Sequence, residues 1–527
     1  MTAVISQARL SRLSEFVAGR MGLHFPPERW SDLTRGIVSA AHQFGFAEPE
    51  ACAEWLVSSP LETKQIEILA SQLTVGETYF FRERRAFEVL DRHILSELIR
   101  SRRDSDRRLR FWSAGCATGE EPYSLAMLLD KALPDLKDWN ITILASDINP
   151  RFLRRASEGV YNEWSFRDSP SWIKESCFEK SRDGRFELLP RIRQMVTLAY
   201  LNLAEDVYPS LLNSTNAMDV IFCRNVLMYF APERSERVVQ NFYRSLADGG
   251  WLIVSPSETS HVLYSHFETV NFPGLILYRK CEEQCRSSEA FHGEVIEKWP
   301  ALPPPPFQTP FEPGPAETCV PEFIGIPPTQ EAEPPAAESA SAADRRAFML
   351  YERGHYAEAE EQILAWLSEM PDDAKAMTLL ARIHANQGRL QEALEWCAKA
   401  IVAEKMNAGL YYLRATILLE QGLLEEAGTS FQRALYVDQN FVLAHFVLGS
   451  LARRQGKPRK AQKHFENALS LLDAYGHEQV LPESEGITAG RMMEILALQK
   501  NPPGDVRAAV AGKGNSSAGT RSVQTLK

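Results

Sequence analysis

The chain lacks paired cysteines. Its eight cysteines are scattered over 527 residues with no C-x-x-C, and Cys281 and Cys285 have neither a second pair nor a histidine cluster nearby, so no zinc site is expected. This is the usage of a reduced, cytoplasmic protein. Long apolar runs are also missing. None approaches the ~20 residues needed to span a bilayer, and the opening MTAVISQARLSRLSEFVAGRMG is broken by Arg9, Arg12 and Arg20, which makes it an amphipathic helix and no secretion signal. No membrane insertion is expected. Nor is there an excess of positive charge: 58 Lys and Arg stand against 69 Asp and Glu, a net charge of −11, which opposes a general nucleic-acid binder. No cluster of metal-ligating residues is evident. At this length one core cannot serve the whole chain, and about three or four units are expected.

A strict periodicity marks the C-terminal part. Gly354, Gly388, Gly422 and Gly456 recur every 34 residues. Ala359, Ala393, Ala427 and Ala461 keep the same beat, as do Ala347, Ala381, Ala415 and Gly449, and the larger apolar set Ile363, Cys397, Phe431 and Phe465. This is the period of the tetratricopeptide (TPR) repeat, a stack of helical hairpins that binds a peptide or protein and carries no chemistry of its own. The ligand of these repeats, an unknown protein or peptide, is not specified by the residues.

Upstream, composition divides the chain. Residues 1–75 read as a small all-α N-terminal domain, with apolar residues at helical spacing in LSRLSEFVAGRMG and IEILASQLTVG. Residues 76–285 alternate strand and helix patterns. The strand candidates are LRFWSAG, ITILASD, MVTLAYLNL, MDVIFCRN, WLIVSPSE and a last edge strand LILYRK. That rhythm implies an α/β domain of Rossmann-like type around a mainly parallel sheet. Asp183-Gly184 between extended segments signals a hairpin, so a β insertion is expected at about 165–197. Residues 286–338 are rich in Pro, Glu, Ala and Ser and read as a disordered tether. Residues 339–500 hold the repeats and a helical cap, and 501–527 read as a disordered tail. A flexible tether would leave the repeats dispensable for catalysis and free to raise a partner's effective concentration, or to fold back over the site. Arginines crowd FRERR and RSRRDSDRR between Arg82 and Arg110, either as a solvated face or as a docking face for an acidic protein.

The loop from Ser113 to Pro122, SAGCATGEEP, leaves a strand and opens a helix. Its glycines, Gly115 and Gly119, let a ligand approach the backbone, but their spacing differs from that of a dinucleotide fingerprint. Glu120 and Glu121 at the helix start oppose a pyrophosphate there. They suit an ammonium or sulfonium group, although acids also cap helices for their own sake. Asp147, ending the second strand, is placed to accept ribose hydroxyls. A positively charged nucleoside without phosphates points to S-adenosylmethionine (SAM).

Four segments, ETYFFRE, WSAGCATGEEPYSLAMLL, ASDINPRFLRRASEGVY and IFCRNVLMYF, stand in one order at close spacing. With them residues 5–282 resemble the CheR family of chemoreceptor glutamate methyltransferases, and the whole chain resembles the TPR-bearing CheR proteins of alternative chemosensory systems such as Wsp-type pathways. The resemblance implies SAM as methyl donor, S-adenosyl-L-homocysteine as product, and a chemoreceptor cytoplasmic domain as partner. It implies that Thr78, Arg82, Glu120, Asp147, Asn202, Leu203, Arg224 and Asn225 line the cofactor site. Tyr229 stands near the transferred methyl, and Arg82 or Arg224 holds a carboxylate. An ionised glutamate needs no general base, so alignment and desolvation carry the rate. Two other readings stay open at this stage. One is a SAM-dependent enzyme acting on RNA or a small molecule, and the other a catalytically idle SAM-fold scaffold that works through its repeats.

Overall fold

The computed structural model describes residues 5–281 and 337–500, apart from positions 60, 62, 212, 478, 485 and 486. The expected tether lies outside the described residues as far as 336, and the expected tail at 501–527 lies outside them entirely.

Four helices, Gln7–Met21, Trp30–Phe44, Pro49–Ser58 and Thr63–Leu73, form the N-terminal unit around Leu13, Val17, Leu33 and Ile37, all fully buried. The α/β unit follows. Its strands are β1 (Arg108–Ala114), β2 (Asn140–Asp147), β3 (Val160–Tyr161), β4 (Phe178–Lys180), β5 (Phe186–Leu188), β6 (Val196–Tyr200), β7 (Met218–Phe222), β8 (Leu246–Ile253), β9 (Glu268–Phe272) and β10 (Leu275–Arg279). Seven of them make one sheet in the order β6-β2-β1-β7-β8-β10-β9. The first five run parallel, and β10 pairs antiparallel with both β8 and β9. Two apolar layers cover the sheet: the helix Glu120–Ala132 lies in one, the helix Pro232–Ser245 in the other. The chain builds outward from β1 to β6 on one side, then returns to β7 on the other. That reversal leaves a crevice at the carboxyl ends of β1 and β7.

Two sequence expectations are corrected here. LILYRK is not an edge strand, because ETVNF pairs along its outer side; that segment is half-exposed, and its polar positions hide it from an apolar-run criterion. The insertion is a three-stranded sheet, β3-β5-β4, that starts at Val160 rather than 165, with Gly184 at φ +82° in the β4–β5 turn.

The repeats form eight antiparallel helices from Ala337–Arg353 to Pro458–Leu472, followed by Ala489–Lys500. The 34-residue beat has a backbone cause. Gly354, Gly388, Gly422 and Gly456 turn between the two helices of each hairpin at φ of +78°, +80°, +80° and +69°, where any side chain is strained. Gly449 replaces alanine because a Cβ there would stand 2.5 Å from the Phe465 ring.

The array docks on the α/β unit. It packs against the amino-terminal ends of β1, β2 and β7, opposite the crevice, and reaches round to the carboxyl end of β6. Arg108 and Arg110 project from the same side of β1, both buried, and Glu420 Oε2 meets their guanidinium groups at 2.5 and 2.7 Å. Asn140 Nδ2 donates to the Glu420 carbonyl at 3.1 Å, and Asn216 Nδ2 to the Ala385 carbonyl at 3.3 Å. Leu211 enters the apolar cluster of Ala381, Ala385 and Leu390. Tyr356 donates to the Arg244 carbonyl, and the Arg491 guanidinium lies over the Tyr200 ring on the edge strand β6. The acidic partner anticipated for the arginine cluster is, for two of its members, the chain's own Glu420. Others are used locally: Arg102 pairs with the buried Asp219 and Arg103 with Asp135.

Burial pulls Arg110 down to about 10, and Glu420 opposes that shift. Removing Glu420 strands two buried cations, a change that costs about 3–5 kcal/mol. Glu420→Ala is therefore expected to lower stability by that amount in denaturant unfolding and to release the array to limited proteolysis. An unchanged midpoint and digestion pattern would show that the interface does not form in solution.

Candidate SAM-binding site

The crevice deepens into a pocket that is open to solvent. Its wall is drawn from several parts of the chain. The N-terminal unit supplies Met21 and Leu23, and the segment after its last helix gives Thr74, Val75, Glu77, Thr78 and Arg82. The β1 loop gives Gly115, Cys116, Ala117 and Glu121; β2 ends on Asp147; and Asn202, Leu203, Arg224, Asn225 and Tyr229 complete it. Among the described residues, none from the array lines this cavity.

The β1 loop is shaped by backbone strain. Gly115 sits at φ +84°, and a Cβ there would lie 2.4 Å from Val226 Cγ2. The main-chain N–H groups of Gly115 and Cys116 both donate to the Ser146 carbonyl, which ties the loop to β2. Asp147 then receives the Ala117 N–H at 2.9 Å and the Asn149 N–H at 2.8 Å, one on each oxygen. One lone pair on each oxygen remains for ligand hydroxyls. Burial pushes Asp147 up to about 6, and those N–H bonds oppose the shift.

Arg224 is the electrostatic centre. Its side chain is 2% exposed and pairs with Glu121 and Glu83, each at 3.2 Å. It also donates to the Arg82 carbonyl. Glu121 accepts from Ser113 Oγ at 2.7 Å, and Glu83 from Ser255 Oγ at 2.9 Å. Burial raises Glu121 and Arg224 pulls it back. Two buried polar atoms at the wall lack a hydrogen-bond partner among the described residues, Asn225 Oδ1 and Arg224 Nε. An acceptor and a donor left open on adjacent residues fit the ammonium and carboxylate of an amino-acid moiety, and Asp147 fits a ribose. The residues present therefore suit SAM.

Of the residues expected from sequence, Thr78, Arg82, Asp147, Asn202, Leu203, Arg224, Asn225 and Tyr229 meet at this cavity. Glu120 does not. Its carboxylate accepts from Thr118 Oγ1 at 2.6 Å and Ser165 Oγ at 3.0 Å, away from the wall, while Glu121 faces it. Successive residues on a helix point about 100° apart, so only one of an adjacent acidic pair can face a given ligand. Asn202 is tied down, donating to the Arg20 carbonyl at 2.9 Å and so joining the N-terminal unit to the wall. Met21, Leu23 and Phe230 also line the cavity and were not anticipated, since nothing in the N-terminal helix pattern signals a wall.

The family CheR methyltransferase, SAM binding domain, matches residues 76–275, and tetratricopeptide families match 350–408 and 408–441. Chemotaxis protein methyltransferase 2 of Vibrio cholerae is 35% identical over 209 residues, 40% of this chain and 71% of the relative. The chemotaxis protein methyltransferase of Borreliella burgdorferi is 30% identical over 257 residues, 48% of this chain and 89% of the relative. Chemotaxis protein methyltransferase 1 of Pseudomonas aeruginosa is 35% identical over 219 residues, covering 40% and 77%. This chain belongs to the CheR family. It is a SAM-dependent methyltransferase of chemosensory signalling that carries a TPR array as a protein-binding module. Among the described residues of this CheR protein, no helix is long and apolar enough to cross a membrane, and no cluster of three metal-ligating side chains occurs.

Because the folded pKa of Asp147 lies above its ordinary value, its contribution to apo stability is present below about pH 4 and lost as pH rises through about 6. Ligand hydroxyls donate to the ionised form and favour it. Calorimetric affinity for S-adenosylhomocysteine is therefore expected to rise from pH 5 to pH 7 and then level off. Asp147→Ala should weaken binding by about 1–3 kcal/mol and flatten that profile. Unchanged affinity would move the ribose contact elsewhere.

Proposed function

We propose that the acceptor is a glutamate side chain on the cytoplasmic helices of a chemoreceptor, converted to a carboxyl methyl ester with S-adenosylhomocysteine as co-product. One observation carries this reading: every carboxylate on the cavity wall is already engaged. Asp147 holds two main-chain N–H groups, Glu121 holds Ser113 and Arg224, and Glu77 pairs with Arg167 at 3.3 Å. The one wall thiol, Cys116, is pushed far up by burial. Among the described residues, an acceptor that must first lose a proton meets no unengaged carboxylate on this wall, whereas a glutamate arrives ionised, with an ordinary pKa of ~4.3.

Bound in the cavity, SAM supplies an electrophilic methyl group. The chain's residues have three tasks. Asp147 and Asn225 fix the donor, with Thr78, Asn202 and Leu203 closing around it. Arg82, which spends one donor on the Glu77 carbonyl, is the cation best placed to steer an acceptor carboxylate, since Arg224 is held between Glu83 and Glu121. Tyr229 stands half-buried at the rim with the Arg29 guanidinium 5.3 Å from its ring centroid, and its hydroxyl makes no hydrogen bond among the described residues. That leaves it free to donate at the reacting centre. Exposed Val75 and Met228 beside the opening give a protein acceptor an apolar footing.

The array's fixed seat on the far end of the sheet supports a module that holds its partner at a set position relative to the methyl-transfer site. The partner's identity is not inferred.

Purified protein, methyl-labelled SAM and a receptor cytoplasmic domain should give label that mild alkali releases as methanol. Label that survives alkali would indicate N-methylation and overturn the ester. Tyr229→Phe is expected to lower turnover more than it raises the SAM dissociation constant. A pure binding defect would remove Tyr229 from the reacting centre.

A further inference from the structure

Glu258 lies outside the cavity wall, is 8% exposed, and has no ion pair among the described residues. A buried carboxylate without a cation is costly, so its surroundings must supply hydrogen bonds. They do so through main-chain N–H groups: Asn225 at 2.6 Å and Ser255 at 3.3 Å on one oxygen, Val226 at 2.8 Å and Met228 at 3.1 Å on the other. Burial raises its pKa and these donors lower it.

We infer that Glu258 is a positioning residue for methyl transfer, its carboxylate gathering the main-chain amides of Asn225, Val226 and Met228 and thereby setting Asn225 and Tyr229 on the cavity wall. The inference rests on the placement of Tyr229 at the reacting centre proposed above.

A plain helix cap is the simpler reading, since Ser255 and Glu258 form a capping box on the short turn Pro256–Glu258. That role accounts for the Ser255 bond alone. The other three cross to a loop some thirty residues earlier in sequence, the loop that ends at Tyr229 and holds Asn225 at φ +58°. Ser255 Oγ also accepts from Asn225 Nδ2 at 3.1 Å, which fixes that side chain with its Oδ1 open. The chemistry is specific for an anion. Each oxygen receives two N–H donors, so a glutamine must set its own NH₂ against two of them whichever way it turns.

The test compares wild type and Glu258→Gln for turnover on a receptor domain, affinity for S-adenosylhomocysteine, and thermal unfolding. Misplacement on the scale of 1 Å costs about 100-fold in rate, so turnover is expected to fall by about that factor; ligand affinity falls too, because Asn225 holds the donor, but by less, because Asp147 keeps its own contacts. A folded variant with wild-type turnover overturns the inference. So does an equal loss of turnover and affinity alongside a lowered melting temperature, which marks a stabilising cap. Should the variant not fold, amide hydrogen exchange on the wild type decides. Slow exchange at Asn225, Val226 and Met228 supports the inference, and rapid exchange there in folded protein overturns it. Failure of the glutamate reading shows separately, as no transfer by the wild type, and leaves the exchange result standing.

Discussion

A buried guanidinium governs the open end of this sheet. Arg224 stands at the end of β7, where a cation has almost no water, and such a charge persists only if partners are brought to it. Glu121 comes from the first turn of the helix after β1, Glu83 and the Arg82 carbonyl from the segment before β1. Three stretches distant in sequence are thereby drawn to one point, and the cavity is the space between them. The ion pairs need not add net stability for this to hold. Their value lies in geometry, since a buried charge tolerates few arrangements and every wall loop is tied to the same one. Glu258 applies the same logic with the sign reversed: an anion satisfied by main-chain donors fixes the loop that carries Tyr229.

The opposite end of the sheet repeats the device. Arg108 and Arg110 occupy positions in β1 where a central parallel strand ordinarily carries apolar residues, and Glu420 from the array pairs with both. β1 thus carries charge anchors at its base and leads to the cofactor loop at its top. The array docks mainly at the base, through Glu420.

Much of this was legible in the sequence because local rules agreed with the fold. The 34-residue beat follows from glycines that must turn at positive φ, and the strands β1, β2 and β7 follow from apolar runs. The wall residue Asp147 was legible from its place at a strand end, and Arg224, Asn225 and Tyr229 through motifs that resemble those of the CheR family. What escaped depended on tertiary partners. Glu120 and Glu121 are indistinguishable as letters, and only the helix phase, set by Thr118 and Ser165 on one side and Arg224 on the other, decides which faces the ligand. The docking of the array was hidden because Arg108 and Arg110 read as surface charge until Glu420, far away in sequence, is brought to them. Glu258 had a signal that was passed over, the S-x-x-E of a capping box in SPSE, but its three bonds to the 225–228 loop have no local signature.

The claim that one buried cation organises the methyl-transfer site is tested most directly by a double-mutant cycle. Affinity for S-adenosylhomocysteine would be measured for wild type, Arg224→Met, Glu121→Gln and the double variant. If the pair acts as a unit, the two effects are strongly non-additive, with a coupling of about 1–3 kcal/mol and a double variant little worse than the worse single one. Simple additivity, with each change weakening binding independently, would contradict the account.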